Sequence, residues 1–178
     1  MGYNFLVSSN IAFGTGSLDK LSEMLSSRGV KKALLFYGGS AKKSGTADRI
    51  TSQLDASGIA YAVYDNIIPN PTNEVVHDAY ELAKAEAVDG FVALGGGSCI
   101  DSGKAIAIVA TNHEPSWLYT NREGEYVADV KVTPLPIITV PTTSGTGSEV
   151  TPFAVITDER TGSDCDRYSR RYSVYSRR

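Results

Sequence analysis

The sequence predicts an α/β fold, a parallel sheet carrying helices on both faces. Short apolar runs at 33–37, 59–64, 91–94 and 135–140 alternate with segments of helical period, and the joints between them are short. Three of these runs end in turns of glycine and hydroxyl residues, at 38–40, 95–98 and 142–148. In a right-handed α/β sheet those turns share the edge formed by the carboxyl ends of the strands.

In chain order, residues 4–13 form an apolar-rich opening that reads as one or two strands, and Gly14-Thr15-Gly16 turns the chain. Ser17 can cap a helix that puts Leu18, Leu21 and Leu25 on one face and ends at Gly29. Ala33-Leu34-Leu35-Phe36-Tyr37 is a buried strand that runs into Gly38-Gly39-Ser40. Helix follows from about Ser44, with Ala47, Ile50 and Leu54 inward and Gly58 closing it, and 59–64 is the next strand. Pro69-Asn70-Pro71-Thr72 is a loop, because proline holds φ fixed and starts helices well. Val75, Ala79 and Leu82 mark a helix to about Glu86. The polar stretch 112–134, with Trp117, Tyr119 and Tyr126, reads as a surface excursion, and 135–140 and 153–157 as the last strands.

The centre of this pattern is 91–104. Phe91 to Leu94 is a strand covered on both faces, and Gly95-Gly96-Gly97 lets the backbone turn with no Cβ in the way. Ser98 is placed to cap the following helix, with Asp101 three residues on as a capping-box partner. A glycine turn that opens a helix presents free N–H groups and the positive end of the helix dipole, which suits a phosphate. The pattern departs from G-x-G-x-x-G at Ile100, and from the Walker pattern at Ser98 and Ala105. A tight strand–helix turn with no ligand would use the same glycines. Three such turns around one crevice point to a nucleotide or dinucleotide.

Composition bounds the remaining choices. At 178 residues, 42% hydrophobic and 21% charged, the chain can bury one real core. No apolar run is long enough for a membrane span and no secretory leader is evident, so a cytoplasmic location is expected. Cys99 and Cys165 make neither a metal pair nor a disulfide framework. Residues 163–178 carry five arginines against two aspartates, a net +3, which leaves the preceding 162 residues at −6. An acidic body argues against a nucleic-acid surface. Assembly into a homo-oligomer is left open.

Gly95-Gly96-Gly97-Ser98 with Asp101 and Lys104, followed by Pro141-Thr142-Thr143-Ser144-Gly145-Thr146-Gly147-Ser148-Glu149-Val150-Thr151, resembles the iron-containing alcohol dehydrogenase family. The opening 11–16 and the Pro69-Asn70-Pro71-Thr72 loop fit as well. The resemblance implies an NAD(P)-linked alcohol–aldehyde oxidoreductase whose N-terminal Rossmann-like α/β domain binds the cofactor. A following all-helical domain, which would hold iron or zinc through one Asp and three His, has no counterpart in this chain, so neither a catalytic nor a metal-binding residue is expected here. The resemblance implies that Gly96, Gly97 and Ser98 meet the pyrophosphate, with Gly95 beside them among the cofactor-binding residues. It sets Thr142, Thr143 and Thr146 on the nicotinamide side and Asn70 on the adenosine side. Where many NAD-preferring members carry an acidic residue after the first strand, this chain has Gly38, Gly39 and Ser40, as in the NADPH-dependent butanol dehydrogenase branch. With Lys42 and Lys43 nearby, that implies NADP(H) in preference to NAD(H).

Other residue types read as structural. His77 and His113 are far apart with no matched carboxylate, Cys99 is a packing residue, and Trp117 is a loop anchor. Asp101 and Glu149 are expected to act as a cap and a loop anchor, and Lys104 to pair with solvent or a neighbouring carboxylate. The resemblance covers 3–162, an expected dinucleotide-binding domain of residues 1–162. The Ser/Tyr/Arg-rich segment 163–178 lacks any period and is expected to be disordered, the product of a shifted reading frame near codon 162. Three functional readings remain: the cofactor-binding half of an alcohol dehydrogenase, inactive alone; a free-standing nucleotide-binding module; and a non-functional frameshifted product.

Overall fold

The computed structural model describes residues 9–113, 115–119, 130–151 and 153–159, with the backbone of 121–122, 125–126 and 170–171. Its sheet is built from β1 (Lys32–Tyr37), β2 (Ala60–Tyr64), β3 (Gly90–Gly95) and β6 (Ile137–Pro141). All pairings are parallel, in the spatial order β2-β1-β3-β6. The helices are α1 (Leu21–Ser26), α2 (Gly39–Lys43), α3 (Thr46–Ser57), α4 (Asn73–Ala85) and α5 (Gly97–Asn112). Short two-residue strands complete the list: β4 (Asn121–Arg122) with β5 (Glu125–Tyr126), and β7 (Val155–Ile156) with β8 (Arg170–Arg171).

The period-2 geometry of the central strands divides the core in two. Leu34, Phe36, Phe91 and Ala93 point to one face and pack with α4 and α5. Ala33, Leu35, Val92 and Leu94 point to the other and pack with α1 and α3. Both faces of β1 and β3 are therefore apolar and buried, as continuous apolar runs require. The expected inward residues Leu21, Leu25, Ala47, Ile50, Leu54, Val75 and Ala79 are all buried, and Leu82 is partly so. Helix α5 is enclosed from Cys99 to Val109. It lies so close to the sheet that a Cβ on Gly103 would stand 2.3 Å from the Phe36 ring and 2.7 Å from Ile137.

Several helix starts differ from expectation. The Gly14 carbonyl accepts the Ser17 N–H at 3.1 Å and draws Ser17 into a 3-10 turn (Ser17–Lys20), so Gly16, with φ 79°, is the cap. Gly38-Gly39-Ser40 does not remain a free turn: Gly38 caps α2, which begins at Gly39, and left-handed Gly45 separates α2 from α3. Ser98 does not cap α5. The extended backbone of Gly96 (φ −83°, ψ −167°) starts the helix earlier, with no side-chain cap. Thr72 caps α4, its Oγ1 accepting the Val75 N–H at 3.4 Å.

Residues 9–13 form no strand, and 4–8 lie outside the described residues. The last expected strand, 153–157, narrows to β7. Of the segment expected to be disordered, Arg170–Arg171 pairs antiparallel with β7, whose free edge offers backbone groups to any extended segment; 160–169 and 172–178 lie outside the described residues. In the 112–134 excursion, Ser116 and Tyr119 are buried and Trp117 rests tilted on His77 with ring centroids 5.3 Å apart. No helix among the described residues is long and apolar enough to cross a membrane.

Candidate functional site

The strand order changes direction of winding between β1 and β3, and ligands of doubly wound sheets bind beyond the carboxyl ends of the strands at such a point. Gly38 leaves β1 there, and Gly95, Gly96 and Gly97 leave β3 beside it. The third turn, following β6, folds onto the second. The Thr142 N–H donates to the Gly95 carbonyl at 2.9 Å. A Cβ on Gly96 would stand 3.0 Å from Thr143 Oγ1, and one on Gly97 would stand 3.3 Å from Ser148 Oγ and 3.5 Å from Thr146. The structure thus brings together Gly95, Gly96, Gly97, Ser98, Thr142, Thr143 and Thr146.

These glycines also answer to the protein itself. Gly95 sits at φ 154°, where a side chain is strained, and a Cβ there would meet Cys99 Sγ at 2.5 Å. Cys99 packs in this crevice with its thiol pushed up in pKa by burial, which makes it an inert packing residue.

The amides at the start of α5 carry the site's electrostatics. The first intrahelical bond runs from the Ile100 N–H to the Gly96 carbonyl at 3.1 Å, so the Gly97, Ser98 and Cys99 amides precede the ladder. No side chain caps them, and amides at the start of a 16-residue helix, with its dipole, suit an anion.

At the β1 end, Gly39 and Ser40 are exposed, and nothing lies within 4 Å of a Cβ placed on Gly39. The segment after β2 folds over Gly38: the Ile67 N–H donates to the Tyr37 carbonyl at 3.3 Å, and the Ile67 oxygen would lie 2.7 Å from a Gly38 Cβ. Lys42 is not a free cation there, because its Nζ is 2.7 Å from Asp65 Oδ2. Asn70 is exposed with φ 52°, in the loop that leads to α4.

Asp101 and Lys104 are buried and paired near the half-buried Glu149, so Lys104 finds the neighbouring carboxylate expected of it, while the cap expected of Asp101 is not formed. Asp101 is no cap: its Oδ2 accepts the Val155 N–H at 3.0 Å and its Oδ1 accepts Lys104 Nζ at 3.3 Å. Lys104 is 5% exposed and donates at 2.6 Å to the Phe153 carbonyl, which ties α5 to the strand following the third turn. Burial pushes its pKa down, opposed by Asp101 and Glu149. Glu149 anchors its loop through its backbone carbonyl, which accepts from Ser9 Oγ at 3.0 Å, while its Oε2 is buried without a hydrogen bond. A cavity of about 740 Å³ lies along the outer edge of β6; it reaches Lys104, Glu149 and, in the third turn, Thr142, Thr143 and Ser144, but not the turns at 38–40 and 95–98. The candidate anion site is placed at the turn that opens α5, because its uncapped amides begin a 16-residue helix at the carboxyl end of β3.

Sequence reasoning missed Gly103 and Asp65. The signal for Gly103 was a glycine inside an apolar helix, which marks close packing. The signal for Asp65 was an acid immediately after a strand, on the same sheet edge as the turns.

The model of the iron-containing alcohol dehydrogenase family matches residues 8–174, past the boundary expected at Gly162. Choline dehydrogenase of Bacillus subtilis is 40% identical over 158 residues, 88% of this chain and 39% of the relative. Lactaldehyde reductase of Escherichia coli is 35% identical over 159 residues, 89% of this chain and 41% of the relative. Among solved structures, the NADH-dependent butanol dehydrogenase A of Thermotoga maritima superposes with a TM-score of 0.83 at 34% identity, covering 99% of this chain and 42% of that one. Sulfoacetaldehyde reductase of Bifidobacterium kashiwanohense in complex with NAD+ gives 0.80 at 28% identity, covering 97% and 43%. The chain spans about 40% of the length of the relatives it matches.

Proposed function

The chain belongs to the iron-containing alcohol dehydrogenase family, and from that membership we propose that its α/β domain binds a nicotinamide dinucleotide for hydride exchange with an alcohol or aldehyde. The observation that carries the reading is the uncapped start of α5, open at the point where the winding reverses between β1 and β3. In this reading Gly95, Gly96, Gly97 and Ser98 take the pyrophosphate. Thr142, Thr143 and Thr146 line the nicotinamide side, and Gly38, Gly39, Ser40 and Asn70 the adenosine side.

NADP(H) is preferred to NAD(H) by about tenfold, about 1.4 kcal/mol. The support is the absence of a carboxylate within 38–40 and the cations Lys42 and Lys43 on α2. The name of the similar Thermotoga butanol dehydrogenase specifies NADH, which makes the preference a point to measure in this chain.

The family name implies iron, and the described residues do not fit it. No group of three or more His, Cys, Asp or Glu among them could hold a metal ion. His77 stacks with Trp117 and Tyr80, and His113 ends α5 in a left-handed conformation. The contribution assigned to these residues is therefore cofactor binding and orientation.

Thermal unfolding with added NADPH and NADH tests the proposal. A ligand at about a hundredfold its Kd adds about 2.7 kcal/mol to unfolding, so Tm should rise with both cofactors and at lower concentration with NADPH. No rise with either cofactor at millimolar concentration would refute dinucleotide binding.

A further inference from the structure

We infer that Asp65 is a specificity-determining residue for the dinucleotide, acting by holding the Lys42 ammonium that a 2′-phosphate would otherwise recruit. The inference rests on the dinucleotide reading of this site.

Two elements meet at the carboxyl end of β1. Helix α2, which starts directly after Gly38, carries Lys42. The segment leaving β2 at Tyr64 folds back over Gly38, bonded by the Ile67 N–H to the Tyr37 carbonyl at 3.3 Å, and carries Asp65. Lys42 Nζ and Asp65 Oδ2 close this junction at 2.7 Å. Both side chains are exposed, at 66% and 47%, so a ligand group arriving at the crevice can compete for either. The mutual attraction holds the Asp65 carboxyl below its ordinary pKa and the Lys42 ammonium above its own, and both are charged at neutral pH.

The consequence is chemical. Gly38, Gly39 and Ser40 offer no carboxylate of their own, but the segment after β2 supplies one that is held on Lys42 of α2. A 2′-phosphate must draw Lys42 away from Asp65 and bear the repulsion of the carboxylate left behind. A 2′-hydroxyl carries no charge and can donate to that carboxylate. Asp65 therefore restrains the preference for NADP(H) that the glycine turn and the lysines set up.

The test measures Kd for NADPH and NADH with the parent, Asp65→Asn, Lys42→Met and the double variant, at low and high salt. Removing one unit charge near a ligand charge in a water-like medium changes affinity about fivefold. Asp65→Asn should raise the NADPH-to-NADH affinity ratio about fivefold and Lys42→Met should lower it about fivefold. The double variant should depart from additivity, and both shifts should shrink as salt screens an exposed pair. Asp65→Glu, which keeps the charge, should stay near the parent. An unchanged ratio in Asp65→Asn, or an equal loss of both cofactors, overturns this inference while leaving dinucleotide binding intact. Failure of the parent to bind either cofactor overturns the site reading and this inference with it.

Discussion

Replacing Gly39 with Asp should reverse cofactor preference without disturbing the fold. The position is exposed, takes no left-handed φ, and has nothing within 4 Å of a new Cβ. It is the first residue of α2, where an acidic side chain meets the positive end of the helix and contributes about 0.3–1 kcal/mol. The binding energetics follow from charge. A carboxylate roughly 6 Å from a 2′-phosphate in a water-like medium repels it by about 0.7 kcal/mol per unit charge, or about 1.4 kcal/mol for a dianion. A 2′-hydroxyl donating to the same carboxylate contributes about 1.5 kcal/mol to NAD(H). Together these shift the ratio by about 3 kcal/mol, enough to turn a tenfold preference for NADP(H) into about a tenfold preference for NAD(H). Calorimetric titration of parent and variant with NADPH and NADH reads both numbers, and a melt of the unliganded variant confirms that it folds. A folded variant that keeps its preference for NADPH would show that 38–40 does not face the ribose.

Gly103→Ala tests the helix–sheet contact: the added methyl runs into Phe36 and Ile137, and overpacking of about 1–3 kcal/mol should outweigh the roughly 1 kcal/mol that alanine gains in a helix. A urea midpoint equal to or above the parent's would refute the packing argument. Lys104→Met tests the buried ammonium. Its pKa is lowered in the fold, so between that value and the ordinary 10.5 the unfolded chain binds more protons, and the parent should gain stability as pH rises through this window. Urea unfolding from neutral to about pH 10 should show the gain in the parent and lose it in the variant; parallel curves would show that Lys104 does not titrate there.

The sheet was legible because its evidence is local. Four apolar runs and the glycines between them locate β1, β2, β3 and β6, and the periodic leucines and alanines of α1, α3 and α4 point inward as read. Turn chemistry was less legible. Ser98 and Asp101 have the spacing of a capping box, yet Gly96 takes the cap position, and Asp101 serves a strand 54 residues away. Lys104 was expected to pair with solvent or a neighbouring carboxylate and Lys42 to attract a 2′-phosphate, because nothing in the local sequence shows that Phe153 and Asp65 fold against them. Such pairings depend on tertiary approach, which residue spacing cannot reveal.

The central claim is that the start of α5 holds the pyrophosphate of a dinucleotide. Amide-resolved NMR of the uniformly 15N-labelled chain, titrated with NADPH, tests it most directly. The account predicts the largest shifts at the Gly95, Gly96, Gly97, Ser98 and Cys99 amides, with smaller ones at Gly39, Ser40, Thr142 and Thr143, and little change in α4. Saturable binding whose shifts cluster along the β6 edge cavity, leaving 95–99 unmoved, would contradict it.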